Sequence, residues 1–234
     1  MATHFARGIL STGEPLSTRL SAACHQSARL LPTYRQARFC ASRSLLAELL
    51  FMLYGISELP EIINEANGRP VFSDRQLPRF SIAYTGNIVG VALTTEGDCG
   101  LDMELQRTVR SHDADRHNFS NNENLWINIQ HDPDEARSVL KLTGEASTQL
   151  QLLPGSGRLR TAGSQPIEAV CDAESLLVWS IAATPNIGSL KVWEYDAKGG
   201  DWRSLADAQQ RAREPSARLM RFTSLPMEKT LSLN

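Results

Sequence analysis

The sequence lacks most of the features that assign a function at sight. Its four cysteines, Cys24, Cys40, Cys99 and Cys171, are scattered, with no CxxC pair and no zinc spacing. That pattern excludes a disulfide-stapled scaffold and a zinc module, and it reads as buried free thiols in a reducing compartment. A global basic field is missing too. The formal net charge is -2, so nothing in the overall charge asks for nucleic acid. The longest apolar stretch, "LLAELLFMLYGI", contains Glu48 and is too short to span a bilayer. The amino-terminal "MATHFARGIL" has no long apolar core of a secretory signal. No internal repeat, low-complexity tract or G-x-S-x-G elbow occurs, and no cysteine stands in a nucleophile context. The expectation is a soluble cytoplasmic protein.

What is present is an ordinary globular composition, 41% apolar and 21% charged in 234 residues. That length suffices for one large domain or two small ones with a sizeable core. "ARFCASRSLLAELLFMLYG" carries apolar residues at helical spacing and ends at Gly55, a C-cap candidate. "NEANGRPVFS" is turn chemistry leading into a short extended piece. Ser81–Tyr84 and Ile88–Thr94 read as strands, with "TTEGD" as a turn into a third. Glu123 to Leu153 reads as mainly helical, and "LPGSGRLRTAGSQP" as loop. "SLLVWSIAAT" and "SLKVWEY" are strand candidates, and "AKGGDW" closes a hairpin. "LADAQQRAREPSARLMRF" reads as a surface helix plus tail. Trp126, Trp179, Trp193 and Trp202 read as packing residues.

"DCGLDMELQR" is the unusual segment. It reads as the end of a buried strand, yet Asp102 and Glu104 stand two apart in it. In a strand, positions i and i+2 share a face, so both carboxylates project together while Leu101, Met103 and Leu105 face the other way. Two carboxylates so close repel unless a proton or a cation lies between them. The plain alternative is an edge strand whose polar face is wet.

Six pieces then follow in order: "SRSLL", "NGRPVF", "FSIAYTG", "CGLDMELQR", "FSNNE" and "LTGEA". Together they resemble the 4′-phosphopantetheinyl transferase superfamily in its longer, two-lobed, monomeric form. The family pattern is an early-helix Arg, an N-G-K/R-P turn and a phenylalanine strand ending in Ser-His-Ser. A G-x-D-x-E strand follows, then F-S-x-x-E and a W-x-x-K-E-A-x-x-K helix. The resemblance spans about half the chain, from Arg35 to Gln149. It implies an α+β fold of two similar lobes related by a pseudo-twofold, residues 1–106 and 107–234, with the coenzyme A cleft between them. It implies transfer of phosphopantetheine from coenzyme A to a serine of an acyl or peptidyl carrier protein. Asp102, Glu104 and Glu145 would hold Mg²⁺, a hard cation suited to oxygen ligands. Glu145 would also accept the serine proton. Arg43 and Arg69 match positions that contact the nucleotide and its phosphate.

The chain departs from the pattern on its basic side. Ala83-Tyr84-Thr85 stands where the family has Ser-His-Ser, so Tyr84 offers coenzyme A a hydrogen bond without charge. Lys141 stands at the Trp position, Gly144 at the Lys before Glu-Ala, and Gln149 at the later Lys. Lys141 lies one helical turn before Glu145, on the same face, and could substitute in part. Two readings stay open: a diverged transferase, or a weakened or silent homologue that binds coenzyme A or a carrier protein as a regulator or scaffold. His112, His117 and His131 with Asp113 and Asp115 fit no metal spacing and read as a solvated loop. Gly155-Ser156-Gly157 reads as a simple loop, and Arg211 to Arg221 as a solvated basic surface.

Overall fold

The computed structural model describes residues 2–10, 13, 15–105, 151–153, 158–160, 165–174, 177–205 and 220–224. In chain order these form β1 (Ala2–Ile9), α1 (Ala22–Arg29), α2 (Thr33–Tyr54), β2 (Ile62–Asn64), β3 (Pro70–Phe72), β4 (Arg79–Thr85), β5 (Ile88–Thr94) and β6 (Asp98–Leu105). Then come β7 (Gln151–Leu153), β8 (Arg158–Arg160), β9 (Glu168–Ala173), β10 (Leu177–Thr184), β11 (Ser189–Asp196), β12 (Asp201–Ser204) and β13 (Met220–Ser224). The fold is α+β, as expected.

A five-stranded sheet runs β12-β11-β1-β5-β4 and a six-stranded sheet runs β6-β10-β9-β13-β8-β7, with β2 and β3 as a separate ribbon. The strand after each hairpin crosses over. β4 and β5 pair in the first sheet, and β6 then joins the second beside β10. β9 and β10 pair in the second, and β11 then joins the first, parallel to β1. Residues 1–106 and 107–234 therefore each contribute strands to both sheets.

Two cores follow from this layering. Phe5, Leu101, Met103, Trp179, Ile181 and Val192 fill the space between the sheets. The rings of Phe5 and Trp179 meet there at 5.0 Å. On the other face of the five-stranded sheet, Leu45, Leu46 and Leu49 of α2 pack over Phe80 and Val91. Gly55 ends α2 as the sequence suggested: its φ is +69°, and its N–H donates to the Phe51 carbonyl at 2.9 Å. Ser21 caps α1, its hydroxyl accepting from the Cys24 N–H at 3.1 Å.

Several elements differ from the expectation. Gln151–Leu153 is strand where a helix was read, and Arg158–Arg160 is strand inside a presumed loop. Met220–Ser224 is an inner strand within the stretch read as surface helix and tail. β1 and α1 carry no signal that the reading used. The cause is tertiary pairing: three-residue strands exist only because a neighbour supplies the ladder, and short apolar runs do not distinguish helix from strand. β1 is buried on both faces, so Thr3, His4, Phe5 and Ala6 show no alternation.

His4 gives β1 a pH dependence. Its Nδ1 accepts the Trp193 indole N–H at 3.1 Å. Burial, and then the charge of Lys191, lower it from 6.5 to about 4. The folded imidazole stays neutral where the unfolded one takes up a proton. His4 thus favours the fold fully above pH 6.5, and this contribution is lost as the pH falls to about 4. The shift corresponds to roughly 3 kcal/mol. His4→Gln, which keeps an acceptor for Trp193, is expected to show a flatter loss of stability between pH 7 and 4.5 in urea unfolding. Equal slopes for variant and wild type would refute this.

Candidate functional site

Arg43 lies in the buried stretch of α2 and is 9% exposed. The spacing of one helical turn puts Phe39 beneath it, with the guanidinium carbon 3.9 Å from the ring centroid. Its Nη1 donates to Ser42 Oγ at 3.0 Å and to Tyr84 Oη at 3.4 Å. The two hydroxyls are themselves 3.4 Å apart. The structure therefore brings Arg43 and Tyr84 together through Ser42, a residue the sequence reading did not single out. Among the described residues no carboxylate pairs with Arg43. A guanidinium removed from water without a counter-ion costs several kcal/mol, and an arriving anion recovers that cost.

Arg69 is engaged differently. Its fork closes on Asp98, Nη1 to Oδ2 at 2.8 Å and Nη2 to Oδ1 at 2.5 Å. Nη2 also donates to the Cys99 carbonyl at 2.8 Å and lies 3.4 Å from that of Phe80. Arg79 reaches the same Asp98 at 3.5 Å. Arg69 thus ties the amino ends of β4 and β6. Further along, the Leu101 N–H donates to Ser81 Oγ at 3.0 Å. At the carboxyl ends, a methyl on Gly86 would stand 3.0 Å from Leu105 Cδ1. β4 and β6 therefore run side by side in the same direction and join the edges of the two sheets. Tyr84 and Glu104 leave at the same end of that seam.

Asp102 and Glu104 do share a face. They pair across the ladder with Ser180 and Val178, while Leu101 and Met103 turn toward the intersheet core. Gly90 makes room for them, since a Cβ there would lie 2.7 Å from Met103 Sδ. β6 is the edge of its sheet, yet Asp102 is only 2% exposed and Glu104 is half-buried. The wet-edge reading is therefore incorrect for Asp102. Asp102, Ser180 and Cys171 form one row across three strands, and Ser180 and Cys171 are also buried. Burial, and then the charges of Asp172 and Asp102, push the Cys171 thiol up. Burial, with Asp98 beside it, pushes Cys99 up to about 12. Neither thiol is a nucleophile at neutral pH.

Glu145, Lys141, Gly144 and Gln149 lie outside the described residues, as do Trp126, the three histidines from His112 to His131, and Gly155–Gly157. Among the described residues no three His, Cys, Asp or Glu side chains gather into a metal set. Arg221, from the stretch read as a basic surface, is exposed and also bonds Glu168 of β9.

A cavity of about 700 Å³ lies among β1, β11, β12 and the start of β10, lined in part by Ile88, Leu177, Tyr195 and Trp202. On its wall Arg7 bonds Glu174 at 2.7 Å and Glu194 at 2.9 Å. The Trp179 indole adds a bond to Glu174 at 3.1 Å. The sequence reading did not mark Arg7, though an arginine inside an apolar amino-terminal strand was the available signal. Arg43, Arg69, Tyr84, Asp102 and Glu104 do not line this cavity.

No protein-family model matches the chain. Over the full length of both, it is 58% identical to "Uncharacterized protein YieE" of Escherichia coli K12. The protein of the same name in Escherichia coli O6:H1 stands at the same 58%. The chain belongs to the YieE family. A shorter segment, 73 residues and 31% of the chain, is 34% identical to the 4′-phosphopantetheinyl transferase AcpT of Escherichia coli K12. It covers 34% of that protein. AcpT of Salmonella typhi is 33% identical over the same length. This member of the YieE family thus carries a segment similar to a protein of the superfamily its motifs resemble, across about a third of each chain.

Proposed function

We propose that this member of the YieE family is a cytoplasmic, monomeric 4′-phosphopantetheinyl transferase built from two pseudo-twofold-related lobes. It would move phosphopantetheine from coenzyme A to a carrier-protein serine. The observation that carries this reading is Arg43: a buried cation with no carboxylate partner among the described residues, held over Phe39 and beside Tyr84. Such a group asks for an anion, and the phosphates of coenzyme A supply one. The partial similarity to AcpT supports the same reading.

The donor set fits magnesium: two hard carboxylate ligands on one strand face, which this ion commonly combines with phosphate oxygens and water. Asp102 and Glu104 would hold the ion, with Glu145 as third ligand. When bound, it neutralises pyrophosphate charge. Arg43 would bind and orient the nucleotide phosphates, with Tyr84 adding a neutral hydrogen bond and Lys141 a further charge. Glu145 would take the proton of the carrier serine as its oxygen attacks phosphorus and 3′,5′-ADP departs. Arg69 fixes β6 through Asp98 and retains Nε and one Nη1 hydrogen for a phosphate.

A silent coenzyme A-binding homologue is the second reading. It is favoured by Gly144 and Gln149 at lysine positions and by the commitment of Arg69 to Asp98. Incubation with coenzyme A, Mg²⁺ and a panel of apo carrier proteins, followed by mass spectrometry, separates the two: the phosphopantetheine increment appears only for a transferase. Arg43→Ala is expected to weaken coenzyme A binding at least tenfold in calorimetry, from loss of charge-assisted bonds worth about 1.5–3 kcal/mol. An unchanged Kd would remove the site assignment.

A further inference from the structure

We propose that Ser42 is the positioning residue of the Arg43 anion site: it selects which edge of the guanidinium faces the ligand, without touching the ligand itself. The inference rests on reading Arg43 as the cation that receives a coenzyme A phosphate. Ser42 is fully buried, 0% exposed, within α2. A serine inside a helix can turn its hydroxyl back on the preceding turn. Here Oγ donates to the Phe39 carbonyl at 2.9 Å. A hydroxyl has one proton and two lone pairs. With the proton committed to Phe39, Oγ acts toward its other two neighbours as an acceptor. Arg43 Nη1 fills one lone pair at 3.0 Å, and the Tyr84 hydroxyl, 3.4 Å away, faces the other.

Both neighbours are thereby given a direction. The Tyr84 proton points at Ser42, so the Tyr84 oxygen turns a lone pair to Arg43 Nη1, at 3.4 Å. Nη1 is held by two neutral oxygens, which orient the guanidinium and leave its charge uncancelled. A carboxylate in the place of Ser42 would orient Arg43 equally well but would neutralise it. Phe39 covers one face of the guanidinium plane. Nε and Nη2 make no hydrogen bond to a described residue. They form the side of the guanidinium whose two parallel N–H groups match two oxygens of a phosphate. Arg38 Nη2 donates to the Gly86 carbonyl at 3.1 Å, and so holds the end of β4, with Tyr84, against α2. The bond between Tyr84 and Ser42 is long. An arriving phosphate oxygen can therefore draw the Tyr84 proton to itself while Ser42 keeps Nη1.

The test uses the full chain with Ser42→Ala, Arg43→Ala, Arg43→Lys and the double variant Ser42→Ala/Arg43→Ala, and circular dichroism confirms that each folds. In calorimetry, Ser42→Ala is expected to weaken coenzyme A binding about fivefold to tenfold, from loss of one bond to a charged group. In the Arg43→Ala background the same change should alter Kd by less than about twofold, because Ser42 acts through Arg43. A merely structural role would repeat its full loss there, and that result overturns the proposal. Arg43→Lys keeps the charge but has no paired N–H edge, so it should bind as weakly as Arg43→Ala. Wild-type affinity in Arg43→Lys overturns the selection of an edge. Unchanged binding by Ser42→Ala, beside weakened binding by Arg43→Ala, overturns the role of Ser42 alone. Unchanged binding by Arg43→Ala removes the phosphate site itself. If the wild type binds no coenzyme A, the transfer reading fails separately, and the guanidinium is read by nitrogen NMR. The Arg43 signals are identified by their loss in Arg43→Lys. Separate Nη1 and Nη2 signals that merge in Ser42→Ala support the positioning, and merged signals in the wild type overturn it.

Discussion

Asp102→Asn and Glu104→Gln are each expected to lower phosphopantetheine transfer by about a thousandfold, and to abolish its dependence on Mg²⁺. Both substitutions keep the shape of the side chain and remove its charge, so the ladder with Ser180 and Val178 is retained. A metal ion placed at a reacting phosphate stabilises the transition state by several kcal/mol. At about 1.4 kcal/mol for each factor of ten, a loss near 4 kcal/mol gives the thousandfold figure. Under the proposed function the effect should fall on turnover more than on coenzyme A binding, because Arg43 would still hold the nucleotide. Mass-spectrometric rates over a magnesium titration, with Kd from calorimetry, measure both. If either variant transfers within tenfold of wild type, the two carboxylates do not form a metal site.

Gly97→Ala is expected to destabilise the fold more than a methyl added at any other glycine whose surroundings are described. Gly97 has φ +64°, a left-handed conformation that costs an L-residue about 1–2 kcal/mol. Its new Cβ would also lie 1.9 Å from the Thr184 carbonyl oxygen and 2.8 Å from Thr184 Oγ1. The contact is with backbone, which cannot rotate away. Moving it breaks the bond from the Asp98 N–H to Thr184 Oγ1, 3.2 Å, at the point where β6 begins to pair with β10. Overpacking of this kind adds about 1–3 kcal/mol. The sum is about 2–5 kcal/mol, a large share of the roughly 5–15 kcal/mol that stabilises an ordinary domain. Gly200→Ala is the control: φ is +70° and nothing lies within 4 Å of its Cβ, so only the conformational cost applies. Equal shifts of the urea midpoint for the two variants would contradict the steric argument.

The parts of this molecule that were legible in its sequence share one property, a local pattern with a local cause. α2 has helical spacing and a terminal glycine, and its end at Tyr54 follows from Gly55 alone. β5 is an apolar run between turn residues, and β6 alternates from Leu101 to Leu105, so the shared face of Asp102 and Glu104 could be read directly. What depended on distant residues was not legible. The setting of Asp102 depends on its ladder partner Ser180 in β10 and on Cys171 in β9 beyond it, both more than sixty residues downstream. The capture of Arg69 by Asp98 needs the seam between β4 and β6, and no spacing rule joins positions 29 apart. Ser42 entered the site only because α2 lies against the end of β4. β13 was hidden because its inner position in the sheet is set by β9, while the polar residues before it suggest surface.

The place of β1 has a consequence for how the chain reaches this state. Its residues Thr3–Ile9 ladder on one side with β5, and Ala2–Gly8 on the other with Ser189–Tyr195. On a ribosome, β1 therefore waits for the much later β11 before both of its edges are satisfied. Until then Phe5 lacks Val192 beside it and Trp179 over its ring, and an apolar strand edge stays open. Closing a loop of that span before its contacts form makes folding slow and dependent on chain completion. A nascent or truncated chain ending before residue 189 would present that edge to its neighbours, so premature termination yields an aggregating product instead of a working half-protein.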